Sequence, residues 1–401
     1  MSDMVAQGAL AGLKVVEFAH VIAGPLAGTL LADLGAEVIH VEDPRAGDPQ
    51  RNAGPAKNGA HLWWKVAGRN KRSVTLDLRT EAGRGVAREL AAWADVVITN
   101  FRVSTLNEWG LDYASLQAVN DKVIVLQVTG YGARSSKRNQ PGFGKVGEAM
   151  SGVVNLTGFP DGSPVHTGFS HGDSVTGLMG AFAIQAALYR KTTDPDFAGE
   201  WIDLALYESL YRLVEWQVVF YDQLGEVPQR AGNRLAAAPA AVINTYRTGD
   251  NQWITVTSGT PRSVRNVAAL VGEPAEDYAT PADQVARRER LNTLVAEWIE
   301  KRSLIDCMKV MQELEVVASP IFTVEDILKD DTYRENGNVV TLDDPDLGPL
   351  RMQGVVPRLT NHPGAVRHSA PPLGADNALV YGDYLGRSSA EIEILRHDGT
   401  I

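Results

Sequence analysis

Asp173 stands at the start of a predicted helix, where its carboxylate could act as a nucleophile. The segment Gly168–Ser174, with the sequence GFSHGDS, leads directly into a helical pattern over Asp173–Arg190. This predicts Asp173 at the N-cap, where free backbone N–H groups and the helix dipole favour the ionised carboxylate. An ionised carboxylate can attack a thioester and form a mixed anhydride. Because an aspartate before a helix is more often only a cap, position alone leaves both roles open.

The same segment also matches a serine-nucleophile pattern. Residues Gly168–Gly172 fit G-x-S-x-G, which in α/β-hydrolases places the serine on a turn between a strand and a helix. The preceding residues 161–167 predict a poor strand, because they contain Pro164 and several turn residues. The downstream histidines that could complete a triad are His362, His368 and His397. A serine hydrolase that uses Ser170 therefore stays an alternative.

Short polar segments follow four predicted strands of the N-terminal part. They are Ala19–Pro25, Asp43–Asp48, Asn100–Arg102 and Thr129–Gly132. Ligands of open parallel sheets bind outside the carboxyl ends of the strands, so these segments predict one shared crevice. Turn residues occur at such positions in every α/β protein, which is the alternative interpretation. No G-x-G-x-x-G follows the first predicted strand and no Walker-type pattern is present, so the standard signature of a nucleotide cofactor is absent there.

A basic cluster precedes the third predicted strand. It contains four cations within eight residues, namely Lys65, Arg69, Lys71 and Arg72. Such a cluster could hold a phosphate group by charge-assisted hydrogen bonds. A solvated entry to the strand is the competing interpretation.

Alternating strand and helix patterns in the first 135 residues predict a parallel α/β sheet. The predicted strands are Lys14–Phe18, Glu37–Glu42, Ser73–Leu78, Asp95–Asn100 and Val123–Val128. A stretch rich in glycine, proline and alanine, Gly225–Pro239, then predicts a domain boundary. It is followed by a hairpin pattern (Val242–Thr248 and Trp253–Ser258) and three helical patterns, which predict a small α+β domain. We predict domains at residues 1–225, 226–320 and 321–401, the last being a return linker and a C-terminal part.

Composition excludes several classes of protein. The chain has 401 residues and a formal net charge of −11, which disfavours binding to nucleic acid. Its one cysteine, Cys307, rules out disulfides within the chain and thiolate metal clusters. The N-terminus lacks the pattern of a signal peptide, and no apolar run is long enough to span a bilayer. We therefore expect a cytoplasmic protein with no membrane partner.

Ten short motifs along nearly the whole chain identify a family. In chain order they are Leu10–Phe18, Ala23–Pro25, Leu34–Ile39, Gly47–Arg51, Asn70–Ser73, Asp95–Phe101, Thr129–Gly132, Met150–Gly152, Thr157-Gly158 and Gly172-Asp173. In this order they resemble the class III CoA-transferases, which include formyl-CoA and carnitine CoA-transferases and α-methylacyl-CoA racemases.

The resemblance implies a fold and a set of partners. The expected subunit has a Rossmann-like α/β large domain formed by both chain ends and a small inserted α+β domain. Two such ring-shaped subunits are expected to interlock as a homodimer. The expected substrates are an acyl-CoA and a free carboxylic acid, with coenzyme A as co-substrate. No metal and no redox cofactor are expected.

The resemblance also implies roles for particular residues. Asp173 is expected to be the nucleophile that carries the acyl group as an anhydride and then CoA as a thioester. The segment from His20 to Ala23 is expected to border the thioester, and the basic cluster is expected to bind phosphate. The candidate substrate-binding residues are His20, Val21, Ile22, Ala23, Arg45, Arg69, Asn70, Lys71, Arg72, Asn100, Phe101, Arg102, Thr129, Gly130, Tyr131, Lys145 and Arg234.

Three departures from the family's patterns bear on the reaction. Ile22 replaces a glutamine that some transferases carry after the first strand. The loop Gly232–Pro239 replaces a glycine-rich loop, and its Arg234 could pair with an acceptor carboxylate. Gly144-Lys145 replaces the histidine–aspartate pair of the racemases, so proton exchange at the α-carbon would lack a second base. We therefore expect a CoA-transferase, with a racemase, a hydrolase and a non-catalytic CoA-binding protein as alternatives.

Overall fold

The computed structural model describes residues 8–235 and 242–401. Contacts divide the chain into two compact units. The first comprises Met1–Ser151, Thr167–Leu213 and Thr332–Ile401, and the second comprises Gly152–His166 and Val214–Asp331. The first unit therefore draws on both halves of the chain. This division does not test the domain boundaries predicted at residues 225 and 320, which stay predictions.

The elements follow one another as strands and helices along the chain. The strands are β1 (Lys14–Phe18), β2 (Glu37–Glu42), β3 (Ala56–Lys57), β4 (Ala60–His61), β5 (Arg72–Thr75), β6 (Val96–Thr99), β7 (Ile124–Thr129), β8 (Glu200–Ala205), β9 (Val242–Arg247), β10 (Trp253–Ser258), β11 (Ala318–Pro320), β12 (Val339–Asp344) and β13 (Gly348–Gln353). The helices are α1 (Ala23–Asp33), α2 (Leu62–Ala67), α3 (Glu81–Trp93), α4 (Val103–Trp109), α5 (Tyr113–Val119), α6 (Gly144–Met150), α7 (Val153–Leu156), α8 (His171–Thr193), α9 (Leu206–Leu213), α10 (Trp216–Leu224), α11 (Pro261–Leu270), α12 (Pro281–Glu300), α13 (Leu304–Glu313), α14 (Val324–Lys329), α15 (Asp331–Glu335) and α16 (Ser389–His397).

The first unit is built on a parallel sheet of six strands in the order β5-β2-β1-β6-β7-β8. Its central strands are short runs of buried, mostly β-branched residues, as expected for a sheet covered on both faces. The predicted α/β class is thereby confirmed. The chain leaves β1 in one direction to β2 and later returns on the other side of β1 through β6. A topological switch point, where open sheets bind ligands, therefore lies between β1 and β6.

Two apolar clusters cover the two faces of this sheet, because successive side chains of a strand point to opposite sides. Val15 belongs to the cluster that includes residues of α1 and α8. Val16 belongs to the cluster that includes residues of α3, α4 and α5. The predicted helix Glu81–Trp93 is found with the same bounds, and the Thr80 hydroxyl accepts the N–H of Gly83 as its N-cap.

Helices α1 and α8 approach each other closely at glycine. A Cβ at Gly177 of α8 would lie 2.9 Å from both the carbonyl oxygen of Ala23 and Cβ of Leu26. A Cβ at Gly180 would lie 2.6 Å from Leu126 on β7. Because Gly177 and Gly180 have no side chains, α8 packs directly on α1 and on the sheet.

One predicted helix is interrupted in the structure. The pattern over Glu208–Leu224 predicts a single helix, but α9 ends at Leu213 and α10 begins at Trp216. The break coincides with the change from the first compact unit to the second at Val214. Local periodicity continues across such a break, which explains the wrong prediction.

The second unit contains an antiparallel sheet in the order β11-β10-β9, packed on α11, α12 and α13. The hairpin of β9 and β10 has the predicted position. Cys307 of α13 is fully buried in this core, as its helical context predicts. Among the described residues, no helix is long and apolar enough to cross a bilayer.

A pair of matched glycine substitutions tests the packing of α8. Gly85 of α3 has nothing within 4 Å of an added Cβ, whereas Gly177 faces contacts below 3.0 Å. Gly85→Ala should raise the free energy of unfolding by about 0.5–1 kcal/mol, because alanine is the better helix former. Gly177→Ala should lower it by about 1–3 kcal/mol through overpacking. Chemical denaturation of both variants measures this difference, and a stabilised Gly177→Ala would contradict the packing.

Candidate active site

A cleft of about 510 Å³ opens in the first unit at the carboxyl ends of three adjacent strands, β1, β6 and β7. It brings together eleven of the predicted site residues, which are His20, Val21, Ile22, Ala23, Asn100, Phe101, Arg102, Thr129, Gly130, Lys145 and Asp173. Segment Asp43–Asp48 instead lines a neighbouring pocket that shares His20 and Phe101 with the cleft. Three of the four polar segments therefore meet in one crevice.

Asp173 lies in the first turn of α8, not at its N-cap. The helix begins at His171, and Ser170 occupies the cap position without a side-chain cap bond. The predicted N-cap role of Asp173 is therefore wrong, since the helix starts two residues earlier. The Asp173 side chain instead lines the cleft.

A lysine–glutamate pair lies beside Asp173. Lys145 Nζ lies 2.9 Å from Oε2 of Glu148, one helical turn further along α6. The same ammonium group donates to the carbonyl oxygens of Thr167 (3.0 Å) and Phe169 (2.9 Å). Glu148 also accepts the backbone N–H of Gly172 at 3.0 Å. The pair therefore fastens the start of α8 to α6.

The environment of Asp173 disfavours its charge. Burial, together with the negative charge of Glu148, raises the pKa of Asp173 to about 6, and Lys145 opposes this only in part. The expectation that helix position would favour the ionised form is thus contradicted, because desolvation and a like charge dominate. A carboxylate with a raised pKa is more basic, and it is a better nucleophile once it is ionised.

Two glycines make this environment possible. A Cβ at Gly144 would lie 2.1 Å from Oδ2 of Asp173, and a Cβ at Gly172 would lie 2.7 Å from the carbonyl oxygen of Gly144. The first turns of α6 and α8 therefore approach each other closely at these two glycines. This close contact shields one side of the carboxyl group from water.

The wall formed by residues 20–23 is held by two side chains. Asn100 donates from Nδ2 to the carbonyl oxygen of His20 (2.7 Å) and accepts the N–H of His20 at Oδ1 (3.1 Å). Both carboxylate oxygens of Asp48 lie 3.1 Å from the N–H of Val21. The His20 ring packs edge-on against Phe101, with ring centroids 5.0 Å apart. Burial lowers the pKa of His20, against the effect of Asp48, so its imidazole is neutral at pH 7.

Behind this wall lies a chain of buried charges. His40 lies 3.1 Å from Asp48 through Nε2 and 2.7 Å from Glu17 through Nδ1. Lys71 donates to both carboxylate oxygens of Glu17, at 2.9 and 3.0 Å. Burial alone would lower the pKa of His40, but the bonds to Asp48 and Glu17 outweigh it and raise the pKa to about 9. The order Lys71–Glu17–His40–Asp48 therefore alternates positive and negative charge.

The cations predicted to bind phosphate have partners inside the chain. Arg69 pairs with Asp33 at 2.5 Å, Lys71 with Glu17, and Arg72 with Glu37 at 3.0 Å. Asn70 donates to Asp33 at 2.8 Å. The structure does not bring these four residues to the cleft. Arg69 and Lys71 are buried, and buried cations need carboxylate partners, which the sequence does not reveal. Their binding to CoA stays a prediction.

Three further predicted residues also lie outside the cleft lining. Arg45 is exposed and lies 3.5 Å from Asp43 and from Asp77. Tyr131 donates to the carbonyl oxygen of Pro141 at 3.4 Å and lines a different pocket. Arg234 belongs to the second unit and forms a two-pronged pair with Glu289 at 2.6 and 2.7 Å. The rest of its predicted loop, from residue 236, lies outside the described residues.

The cleft also contains residues that sequence reasoning missed. Thr105, Arg138, Gln140 and Phe143 line it, and Glu148 lies beside its nucleophile candidate. Within the described ranges, neither Arg102 nor Arg138 has a carboxylate at ion-pair distance, so both cations are available to an anion. Glu148 follows Lys145 by three residues, a spacing at which side chains meet on a helix, but no helix was predicted there from the sequence. Arg138 lies on a loop, where no periodic pattern points to a site.

Ser170 lacks the setting of a hydrolase nucleophile. The residues that precede it, 161–170, form turns and irregular backbone, and no strand runs into the serine. A nucleophile elbow requires that strand. In the described part of the chain, no histidine side chain hydrogen-bonds to the Ser170 hydroxyl.

Comparisons with known proteins agree with this geometry. The profile described as CoA-transferase family III matches residues 10–377. The chain is 36% identical over 390 residues to the succinyl-CoA–D-citramalate CoA-transferase of Chloroflexus aurantiacus, covering 96% of each chain. It is 33% identical to the succinyl-CoA–L-malate CoA-transferase alpha subunit of the same organism, covering 96% of this chain and 91% of the relative.

A solved structure is similar over almost the whole chain. It is a CAIB/BAIF family protein from Brucella suis, with a TM-score of 0.81 and 33% identity, which covers 94% of this chain and 100% of that chain. Fold, cleft and sequence relationship thus define an acyl-CoA-dependent transferase. The chain belongs to CoA-transferase family III.

Proposed function

We propose that this protein moves CoA from an acyl-CoA donor to a free carboxylic acid, with Asp173 as the covalent nucleophile. The observation that carries this proposal is the position of Asp173 in the cleft at the ends of β1, β6 and β7. Family membership supplies the reaction class, and the printed names of both relatives describe CoA-transferases.

The reaction takes four balanced steps. The Asp173 carboxylate attacks the acyl carbon of the donor, the C–S bond breaks, and an anhydride and CoA thiolate form. The thiolate then attacks the carbonyl carbon of Asp173, releasing the donor acid and leaving an aspartyl-CoA thioester. The acceptor carboxylate attacks this thioester and regenerates thiolate and a new anhydride. Finally, the thiolate attacks the acceptor's acyl carbon, which yields the new acyl-CoA and free Asp173.

Water must be kept from the anhydride for this sequence to be completed. Ile22, Val128 and Leu206 supply apolar lining, and Gly144 covers one side of the carboxyl group with backbone. Lys145 contributes positive charge near the carboxylate while its ammonium group is bound to Glu148. Neutral His20 on the wall after β1 adds no charge that would compete with the attacking carboxylate.

The two cations without carboxylate partners indicate an anionic substrate. Arg102 and Arg138 both line the cleft. The names of two relatives pair succinyl-CoA with D-citramalate and with L-malate, which are dicarboxylic acids. We therefore propose succinyl-CoA as donor and a dicarboxylic acid as acceptor, so that an arginine can bind the carboxylate that does not react.

A homodimer is part of the same proposal. Helix α8 buries one side against α1 and the sheet but exposes large apolar side chains on another: Leu178 is 58%, Phe182 70% and Tyr189 72% exposed. These residues follow at spacings of four and seven, so they share one helix face. A second copy of the chain would cover such a face, and the resemblance to class III CoA-transferases implies that the two copies interlock.

Substitution of the nucleophile tests the proposed chemistry. Asp173→Asn should lower kcat for CoA transfer from succinyl-CoA to a panel of dicarboxylic acids by at least about 1000-fold, because the amide cannot form the anhydride. Hydroxylamine added with acyl-CoA should convert Asp173 of the wild-type protein to a hydroxamate, found by peptide mass spectrometry. Ser170→Ala is the matched control and should keep its activity.

Three results would each contradict this assignment. They are full transfer activity in Asp173→Asn, loss of activity in Ser170→Ala, and loss of an α-deuterium from acyl-CoA without any transfer of CoA. The second result supports the hydrolase and the third the racemase. Binding of CoA without any chemistry supports the non-catalytic protein.

The raised pKa of Asp173 predicts an acid limb in the pH profile. Because the attacking carboxylate must be ionised, kcat/KM should rise with pH up to about 6 and level off above it. Glu148→Gln keeps an oxygen acceptor but removes the neighbouring negative charge, so the limb should move toward the ordinary aspartate value of about 3.9. Profiles of both proteins with the same substrates measure the shift, since titration of the substrate is common to both. If the acid limb of the kcat/KM profile is the same in both proteins, it reports the titration of a group other than Asp173.

The oligomer is tested at the exposed face of α8. Phe182→Glu should convert the dimer to monomer in light scattering, because a buried charge without a partner costs several kcal/mol. Ile394→Glu on α16, where Ile394 is 60% exposed, is the matched control and should leave the mass unchanged. A monomeric wild-type protein, or a dimer that tolerates Phe182→Glu, would contradict the proposed interface.

A further inference from the structure

Val21 has a backbone conformation that is unusual for its type. Its φ is +68°, in the left-handed region. A β-branched residue is a rare outlier there, because its Cβ substituents crowd the backbone. Val21 lines the cleft between β1 and α1, on the wall expected to border the thioester. The strain is therefore located where the substrate's reacting group would lie.

Side chains from other elements hold this strained segment. The Asp48 carboxylate accepts the N–H of Val21 with both oxygens at 3.1 Å. Asn100, at the end of β6, bonds to both the N–H and the carbonyl group of His20. Two consecutive residues of the wall, His20 and Val21, are thus each held by a side chain from another part of the chain. The hydrogen bond to the Asp48 carboxylate is stronger than one to the neutral amide oxygen of Asn100, since the carboxylate is charged.

Asp48 is itself held by buried groups. It is only 2% exposed and also accepts the N–H of Gln50 at 2.7 Å. His40, at 3.1 Å, is protonated by virtue of its raised pKa and is bonded to Glu17. Lys71 completes the chain. Apolar side chains of similar volume often stabilise a core as well as buried ion pairs do, so stability alone does not explain four buried charges.

We propose that Asp48 is a positioning residue, which fixes the strained Val21 peptide and thereby the wall of the cleft against which the acyl thioester is placed for attack by Asp173. This inference rests on the proposed transferase function. His40, Glu17 and Lys71 act through Asp48 by holding its carboxylate. Displacement of a reacting group by about 1 Å can lower the reaction rate about 100-fold. Loss of the hydrogen bonds between Asp48 and Val21 should therefore lower kcat.

The test compares Asp48 with Asp344, a second buried carboxylate that also accepts backbone N–H groups. Asp344 is also 2% exposed, accepts two backbone N–H groups (from Asp346 and Leu347) and lies 3.0 Å from Lys65. Asp48 bonds to Val21 of the cleft, whereas none of these three partners of Asp344 lines it. Asp48→Asn should lower kcat by about 10- to 100-fold, while the Kd for free CoA changes less than about 3-fold. Asp344→Asn should leave kcat within about 2-fold although it also lowers Tm.

A second substitution separates strain from general damage. Glycine adopts positive φ without strain, so adding Val21→Gly to Asp48→Asn should restore part of the lost kcat, by about 3-fold or more. His40→Gln, which leaves the Asp48 carboxylate in place, serves if Asp48→Asn does not fold, and it should lower kcat in the same direction by about 3- to 10-fold.

The inference is overturned if Asp48→Asn and Asp344→Asn affect kcat equally, or if the whole loss appears in the Kd for CoA. It is also overturned if Val21→Gly fails to raise kcat of the Asp48→Asn variant, or if folded His40→Gln has wild-type kcat. The wild-type assay separates this outcome from failure of the proposed function. A wild-type protein without CoA transfer contradicts the proposed function. If the wild-type protein is active, the kcat values of the variants test the positioning role of Asp48.

Discussion

The parallel pairing of β1 with β2 on one side and β6 on the other is the constraint on which the site depends. It places the switch point of the sheet at β1 and brings the ends of β1, β6 and β7 to one edge. Helix α8 then has to deliver Asp173 to that edge from a distant part of the chain. It does so because glycines let it lie directly on α1 and on β7. The close packing of α8 at its glycines thus determines where the Asp173 carboxyl group lies.

Two kinds of electrostatic environment adjoin each other in this structure. On the side of Asp173, burial and Glu148 raise the energy of the negative charge and leave it available for reaction. On the side of Val21, hydrogen bonds from His40 and from backbone N–H groups outweigh the effect of burial and lower the pKa of Asp48. The same residue type therefore has a raised pKa in one place and a lowered pKa in the other. The difference comes from partners, as expected when neighbours determine a carboxylate's pKa.

Strands, helices and the cleft's location could largely be predicted from sequence, because buried runs and 3.6-residue periodicity are local signals. The α/β class, the bounds of α3 and the hairpin of β9 and β10 illustrate this. Asp173 could be singled out only through ordered motifs, since an aspartate near a helix start is usually structural. The partners of Arg69, Lys71 and Arg72 could not be predicted, because they lie 35 to 54 residues away and meet these cations only on folding. Arg138 was missed for the opposite reason: a loop carries no periodic signal.

Gly144 has an implication for how this chain can vary. Any side chain at residue 144 would begin with a carbon 2.1 Å from the Asp173 carboxylate, closer than two atoms can approach without bonding. Nineteen of the twenty amino acids are thus incompatible with the present orientation of Asp173. Even the single methyl group of Gly144→Ala would require the Asp173 carboxyl group to move from its present position. The absence of a side chain at a residue 29 positions earlier in the sequence thus permits the present orientation of the Asp173 carboxyl group.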